Sequence, residues 1–269
     1  MSKDGGEVKR FILEGTDYVY PRTSNKIIRA YLTYKGVKDD DIMEKYTPFG
    51  FADWQIEVAA IKKFGSAGKK TAVISTINGD ANVPFYKELA NQGIKASDIP
   101  VIAFSVGEEE LAGLDTKPLV GHLAAWSYFE SINTPENKAF IAKWHDYMHD
   151  NKRVTNDPME SAYILFHMWA QAVQQAGTTD VDAVRQAMIG QKVKSPSGFE
   201  VVMGPNHHMA KPVMIGEVQA NGQFAIVYQS KALPPRAWSP YVEANNGKVA
   251  DWSRPWACGG CTAPKYSTF

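Results

Sequence analysis

The sequence carries no excess charge of either sign. Lys+Arg and Asp+Glu both number 29, so no long-range field draws the chain toward nucleic acid or an acidic membrane, and polyanionic partners are excluded on that ground. Long apolar runs are also missing. The longest, such as Tyr163 to Ala170, falls far short of the roughly 18 to 20 residues that a membrane span needs. Residues 1 to 10 carry charge without the apolar stretch of a secretory signal. No GxSxG elbow, phosphate-binding glycine loop or G-x-G-x-x-G fingerprint occurs. Cysteine is scarce: Cys258 and Cys261, in the run Trp256-Ala257-Cys258-Gly259-Gly260-Cys261, are the two present. That CxxC is open to reading as a small disulfide loop, a pair of free thiols, or a metal or redox pair. Its setting, between Pro255 and a Gly-Gly pair in a tail, is not that of a redox motif opening a helix.

What is present is ample apolar material, 44% of the residues, with 12% aromatic. A chain of 269 residues with that content buries one large core or two modest ones. Short β-rich apolar runs alternate with amphipathic stretches through the first half, the pattern of a parallel sheet covered by helices. Strands are predicted at 8–14, 43–48, 71–77, 100–105 and 119–128. Helices are predicted at 24–34, capped by Ser24 or Thr23, then from an Asp53 cap to Phe64, at 83–92, and briefly at 108–114. Five such units suit a doubly wound α/β lobe.

Beyond Tyr128 the texture changes. Residues 135–150, 158–176 and 181–189 read as helices with no strong parallel strand between them, so their apolar faces have no evident sheet of their own. Segments 213–219 and 224–228, joined across Asn221-Gly222, read as a β-hairpin with a type I′ turn. From Leu233 the chain is rich in Pro, Trp and Gly and reads as irregular wrapping.

In an open α/β sheet ligands bind outside the carboxyl ends of the strands. Three loops qualify: Gly15 to Arg22, Asn78 to Asn82, and Gly107 to Glu110. They place tyrosine hydroxyls, an amide, backbone N–H groups and carboxylates on one rim, which suits a small polar ligand. Taken singly, Asp80 and Glu108 are equally readable as first-turn helix acids. His145 and His149, four apart, lack a third metal ligand and read as a solvated helix face, and His207-His208 reads as a turn. The tandem Glu108-Glu109-Glu110 points in different directions and makes no acid/base pair. No cofactor and no metal is expected.

At these loops the sequence resembles a known family. GTDYVYPRTSNKIIRAY, STINGDANVPFYKEL, FSVGEEEL and TNDPMESAYILFHMWAQAVQQAGTTDVDAVRQAM closely resemble the substrate-binding proteins of urea ABC importers. These are relatives of the branched-chain amino acid and short-chain amide binding proteins of the type I periplasmic binding fold. The likeness runs in order from about residue 8 to about 230. It implies two lobes closing on a ligand in the cleft between them, with residues 8–130 as the second lobe. Residues 131–205 would return as helices to the first lobe, 206–232 as a hairpin to the second, and 233–269 would form the tail.

The resemblance also implies a signal peptide and a βαβ half ahead of residue 1, so the first lobe is expected to be incomplete here. The implied protein is periplasmic, non-enzymatic, and partnered by ABC permease subunits, without inserting into the membrane. The implied ligand contacts are Tyr18, Asn78, Gly79, Asp80 and Glu108, with Tyr20, Glu109 and Trp126 as further ones. Urea offers four N–H donors around one carbonyl, so such a site needs several acceptors and at least one donor. Two rival readings stand beside it: a cytoplasmic amide-sensing regulator on the same fold, and a hydrolase of small amides.

Overall fold

The computed structural model describes residues 7–234, 236 and 239–245. Cys258 and Cys261 lie outside the described residues. The described chain falls into two compact units, one of residues 7–105 with 239–245 and one of Val106–Arg236.

The first unit is built on four parallel strands: β1 (Arg10–Thr16), β2 (Ile42–Thr47), β3 (Thr71–Thr76) and β4 (Val101–Ala103), in spatial order β4-β3-β1-β2. From Phe11 onward β1 is buried at every position, as expected of a central parallel strand covered on both faces. Side chains alternate across it. Phe11 and Leu13 pack with Ile42 and Ile74 under Leu32 of helix α1 (Val19–Tyr34). The opposite face is covered by α2 (Gln55–Gly65) and α3 (Asn82–Asn91), whose Val58, Ile61, Phe85 and Leu89 are fully buried. Trp54, just ahead of α2, meets Phe85 edge-on at 4.9 Å.

Helix α1 begins five residues earlier than the sequence suggests. Its N-cap is Tyr18, which makes no side-chain cap bond, and neither Thr23 nor Ser24 caps anything. The run Val19-Tyr20-Pro21 reads as extended, yet Pro21 falls in the first turn, where a missing N–H costs nothing. Gly15 permits the tight entry: a Cβ there would meet Thr76 Oγ1 at 2.5 Å and Pro21 Cβ at 2.9 Å. The N-cap position of α2 is Trp54, one residue later than expected, but the Asp53 side chain still accepts from the first-turn amide of Gln55, at 3.4 Å.

The second unit carries the short helix α4 (Glu108–Leu111), strand β5 (Leu123–Trp126), and helices α5 (Pro135–Met148), α6 (Asp157–Ala176) and α7 (Val181–Met188). Thr134, Asn156 and Asp180 cap the last three through side-chain acceptors, and Gly177 closes α6 in a left-handed conformation. The predicted hairpin is present as β9 (Met214–Val218) and β10 (Phe224–Gln229), with β9 also antiparallel to β5. Its turn is not type I′, which needs positive φ at both central residues. Gly222 alone has it (φ 77°), and the amide of Gly222 donates to the Gln219 carbonyl, so the link is a three-residue loop closed by a left-handed glycine.

One element escapes the sequence reading. β6 (Lys192–Lys194), β7 (Glu200–Met203) and β8 (Met209–Ala210) form a small antiparallel sheet. Val201 and Met203 pack on Ile164 and Met168 of α6, so these helices do have a sheet of their own over part of their apolar surface. Leu165, Phe166 and Trp169 of α6 stay exposed. Among the described residues no helix is long and apolar enough to cross a membrane.

Candidate functional site

In the first unit the loops after β1 and β3 are tied together directly. The Asn78 amide donates to Thr16 Oγ1 at 2.9 Å and its side chain donates to the Thr76 carbonyl. Buried Asn82 holds the next turn by donating to the carbonyls of Ile77 and Gly79. Gly79 sits at φ 64° with open space where a Cβ would be. The result is a single 3-10 turn, Gly79–Ala81, that presents Asp80 to solvent. The Asp80 carboxylate makes no hydrogen bond or ion pair among the described residues.

Tyr18 is half-buried against Phe49, with ring centroids 4.7 Å apart, and its hydroxyl has no hydrogen-bond partner among the described residues. Burial raises its pKa, and nearby Tyr20 adds to the rise, so Tyr18 is held as a neutral donor. Tyr20 lies 6.2 Å from Tyr18, ring to ring, but its hydroxyl is engaged, donating to the Phe104 carbonyl and lying 3.3 Å from Ser105 Oγ. Two-residue parity along an extended stretch does not apply, since Tyr18 caps the helix and Tyr20 is inside it. Asp17 pairs with Arg22 at 2.8 Å, and the Arg22 guanidinium lies over the Tyr46 ring.

The remaining predicted contacts lie in the second unit. Glu108 is 2% exposed. One of its oxygens accepts from the amide and the hydroxyl of Ser131, at 2.9 and 2.7 Å, while the other has no partner. Burial raises its pKa against the lowering pull of those bonds. Glu109 is exposed and accepts from the Asn156 side chain. Glu110 accepts from the Gly107 amide at 2.8 Å. Trp126 reaches the same turn: a Cβ on Gly107 would meet its ring at 2.8 Å. Thus Tyr18, Tyr20, Asn78, Gly79 and Asp80 lie in one unit, and Glu108, Glu109 and Trp126 in the other.

Sequence reasoning passed over Ser131, 23 residues from the glutamate it serves; no local signal marks it. Glu14 was detectable, as an acid inside the strand Arg10–Thr16. It is fully buried with both oxygens unpartnered. Burial pushes its carboxyl up to about 8, with Glu57 adding to the rise and Lys45 opposing it. His145 bonds the Arg153 carbonyl, and His149 sits past the end of α5 at φ 51°, so the two do not share a helix face. Among the described residues no group of three or more His, Cys, Asp or Glu could hold a metal ion.

The chain is similar to known proteins over most of its length. A family described as periplasmic binding protein domain matches residues 1–244. A solute-binding protein of an ABC transporter from Rhodopseudomonas palustris HaA2, solved with p-hydroxybenzoic acid, superposes with a TM-score of 0.71 at 22% identity, over 86% of this chain and 62% of that one. An amino acid ABC transporter substrate-binding protein from Pseudomonas fluorescens Pf-5 gives 0.71 at 16% identity, again over 86% and 62%. The chain therefore spans 62% of the length of these solved relatives, and at such identities the likeness is one of fold, the type I periplasmic binding fold. A limonene hydroxylase from Geobacillus stearothermophilus is 29% identical over 122 residues, 45% of this chain and 22% of that protein.

Proposed function

Because the chain belongs to the periplasmic binding protein domain family, we propose that it is the solute-binding component of an ABC importer, and that its solute is urea or a similar small amide. It binds and releases this solute without chemistry, works in the periplasm and delivers to permease subunits. The observation that carries the ligand class is the Asp80 carboxylate, exposed on the turn Asn78-Gly79-Asp80, with the half-buried donor Tyr18 in the same unit. A free carboxylate accepts two N–H groups of an amide, and a neutral phenol donates to a carbonyl. Asn78 and Gly79 form the turn that presents Asp80, and Tyr20 packs beside Tyr18; in the second unit Glu108, through its unpartnered oxygen, with Glu109 and Trp126, is proposed as a set of contacts of its own.

Amino acids and aromatic acids are the rival ligands, since solved relatives are named for them. An aromatic acid presents a carboxylate alone, which an exposed Asp80 repels; an amino acid adds an ammonium group that Asp80 attracts, which makes leucine the sharper control; urea and acetamide carry no charge. A thermal-shift panel of urea, acetamide, formamide, leucine and p-hydroxybenzoate decides the class. A ligand at about 100 times its dissociation constant adds roughly 2.7 kcal/mol. A shift with urea or the amides supports the proposal; a shift with leucine or p-hydroxybenzoate alone refutes the amide class.

A further inference from the structure

A fourth loop of the first unit, the one after β2, brings a side chain to the proposed amide donor. None of the three loops singled out from the sequence contains it. Phe49 stands at the tip of this loop, and its ring meets that of Tyr18 at 4.7 Å between centroids, tilted by 46°. Both values fall in the range that aromatic pairs favour. Tyr20 is the more distant neighbour, 6.2 Å from Tyr18 ring to ring, and its hydroxyl is already engaged at Phe104 and Ser105.

The loop is built to hold that tip still. The Asp17 amide donates to the Thr47 carbonyl at 2.7 Å, which fixes the end of β2 beside the residue preceding Tyr18. The Phe51 amide donates to the Pro48 carbonyl at 3.3 Å and closes the turn, with Gly50 at φ 69° in the third position, where a type II turn requires a left-handed residue. Beyond the turn the buried Trp54 donates its indole N–H to the Phe51 carbonyl at 3.1 Å and meets the Phe51 ring edge-on at 5.0 Å. Phe85 backs Trp54 from the core. Tyr18 has no such support beyond its backbone. Its amide donates to the Thr16 carbonyl at 2.9 Å, while its hydroxyl has no partner among the described residues to orient the ring.

We propose that Phe49 is the positioning residue for Tyr18: it holds the phenol in one orientation and shields one side of it from water, so that the hydroxyl is set to donate to the carbonyl of a bound amide. This inference rests on the proposed amide site and adds to it a residue that need not touch the ligand. A side chain fixed before binding loses less rotamer freedom when the ligand arrives, and an apolar neighbour keeps the phenol neutral. Consistent with that, burial raises the Tyr18 hydroxyl above its ordinary value of 10.

Two readouts test it on the 269-residue chain. Phe49 is 63% exposed at a turn position open to most residues, so Phe49→Ala should fold and melt like the wild type. The first readout is the Tyr18 phenol titration, followed by carbon-13 NMR of labelled tyrosine and assigned with Tyr18→Phe. Phe49→Ala should bring the Tyr18 value down toward 10, and Phe49→Tyr, which keeps a ring, should leave it raised. The second is calorimetric titration with urea. Phe49→Ala should weaken binding about three-fold or more, the loss of one aromatic pair, and Phe49→Tyr should stay within about two-fold of the wild type. Placed on Tyr18→Phe, the alanine substitution should cause no further loss. An unmoved phenol titration in Phe49→Ala overturns the proposal, as does unchanged urea affinity or an equal loss in the Tyr18→Phe background. A wild-type chain that binds no urea refutes the amide reading instead, and the phenol titration, which needs no ligand, then still decides whether Phe49 holds Tyr18.

Discussion

Ser131 gives both its amide and its hydroxyl to one oxygen of Glu108, at 2.9 and 2.7 Å, and that hydroxyl also accepts from the Phe224 amide at 2.8 Å. A buried acid at the start of α4 is thus fixed to the first residue of β10. Ser131→Ala leaves the Phe224 amide without its partner and strips Glu108 of a bond. A loss of about 1–3 kcal/mol is expected, read by guanidinium denaturation, since urea is itself a proposed ligand. Unchanged stability would show that the hydroxyl is replaceable by water.

Gly107 is required by Trp126. In Gly107→Ala the new Cβ would press on the indole at 2.8 Å, so the ring or the turn must move, at about 1–3 kcal/mol. A lower melting temperature with an altered near-ultraviolet circular dichroism spectrum is expected. A full-strength melt with an unaltered spectrum would contradict the contact.

Glu14 makes stability depend on pH in an uncommon direction. Its carboxyl is raised from 4.5 to about 8 in the folded chain. Between those values the folded state holds a proton that the unfolded state has lost, so stability falls as pH rises across the window. Below about pH 4.5 both states are protonated and this cost is absent. Melts from pH 5 to 8 should therefore show a declining contribution that Glu14→Gln removes, the amide imitating the neutral acid. Parallel pH profiles for the two proteins would mean that Glu14 ionises normally.

The parallel strands were legible because Arg10–Thr16 and Thr71–Thr76 are apolar runs of strand length, buried on both faces. The later helices were legible as long amphipathic stretches, and their starts are fixed by the side-chain acceptors Thr134, Asn156 and Asp180, which the sequence reading did not single out. The strand Lys192–Lys194 was not legible, since three residues with two lysines form no pattern above chance and pair only through the tertiary partner Glu200–Met203. The start of α1 was hidden by Tyr-Val-Tyr-Pro, whose extended preference is overridden by the close approach at Gly15. For the candidate site, position after a strand identified Asp80 and Glu108 alike. What separates them is tertiary: Asp80 is left to solvent, while Glu108 is partly consumed by Ser131.

The central claim is tested most directly by calorimetric titration of urea into the wild-type chain and into Asp80→Ala. Asp80 is exposed and makes no contact that the fold uses, so the variant should melt like the wild type. The account predicts saturable urea binding to the wild-type chain and at least ten-fold weaker binding to the variant. Equal affinity in the two proteins would contradict it.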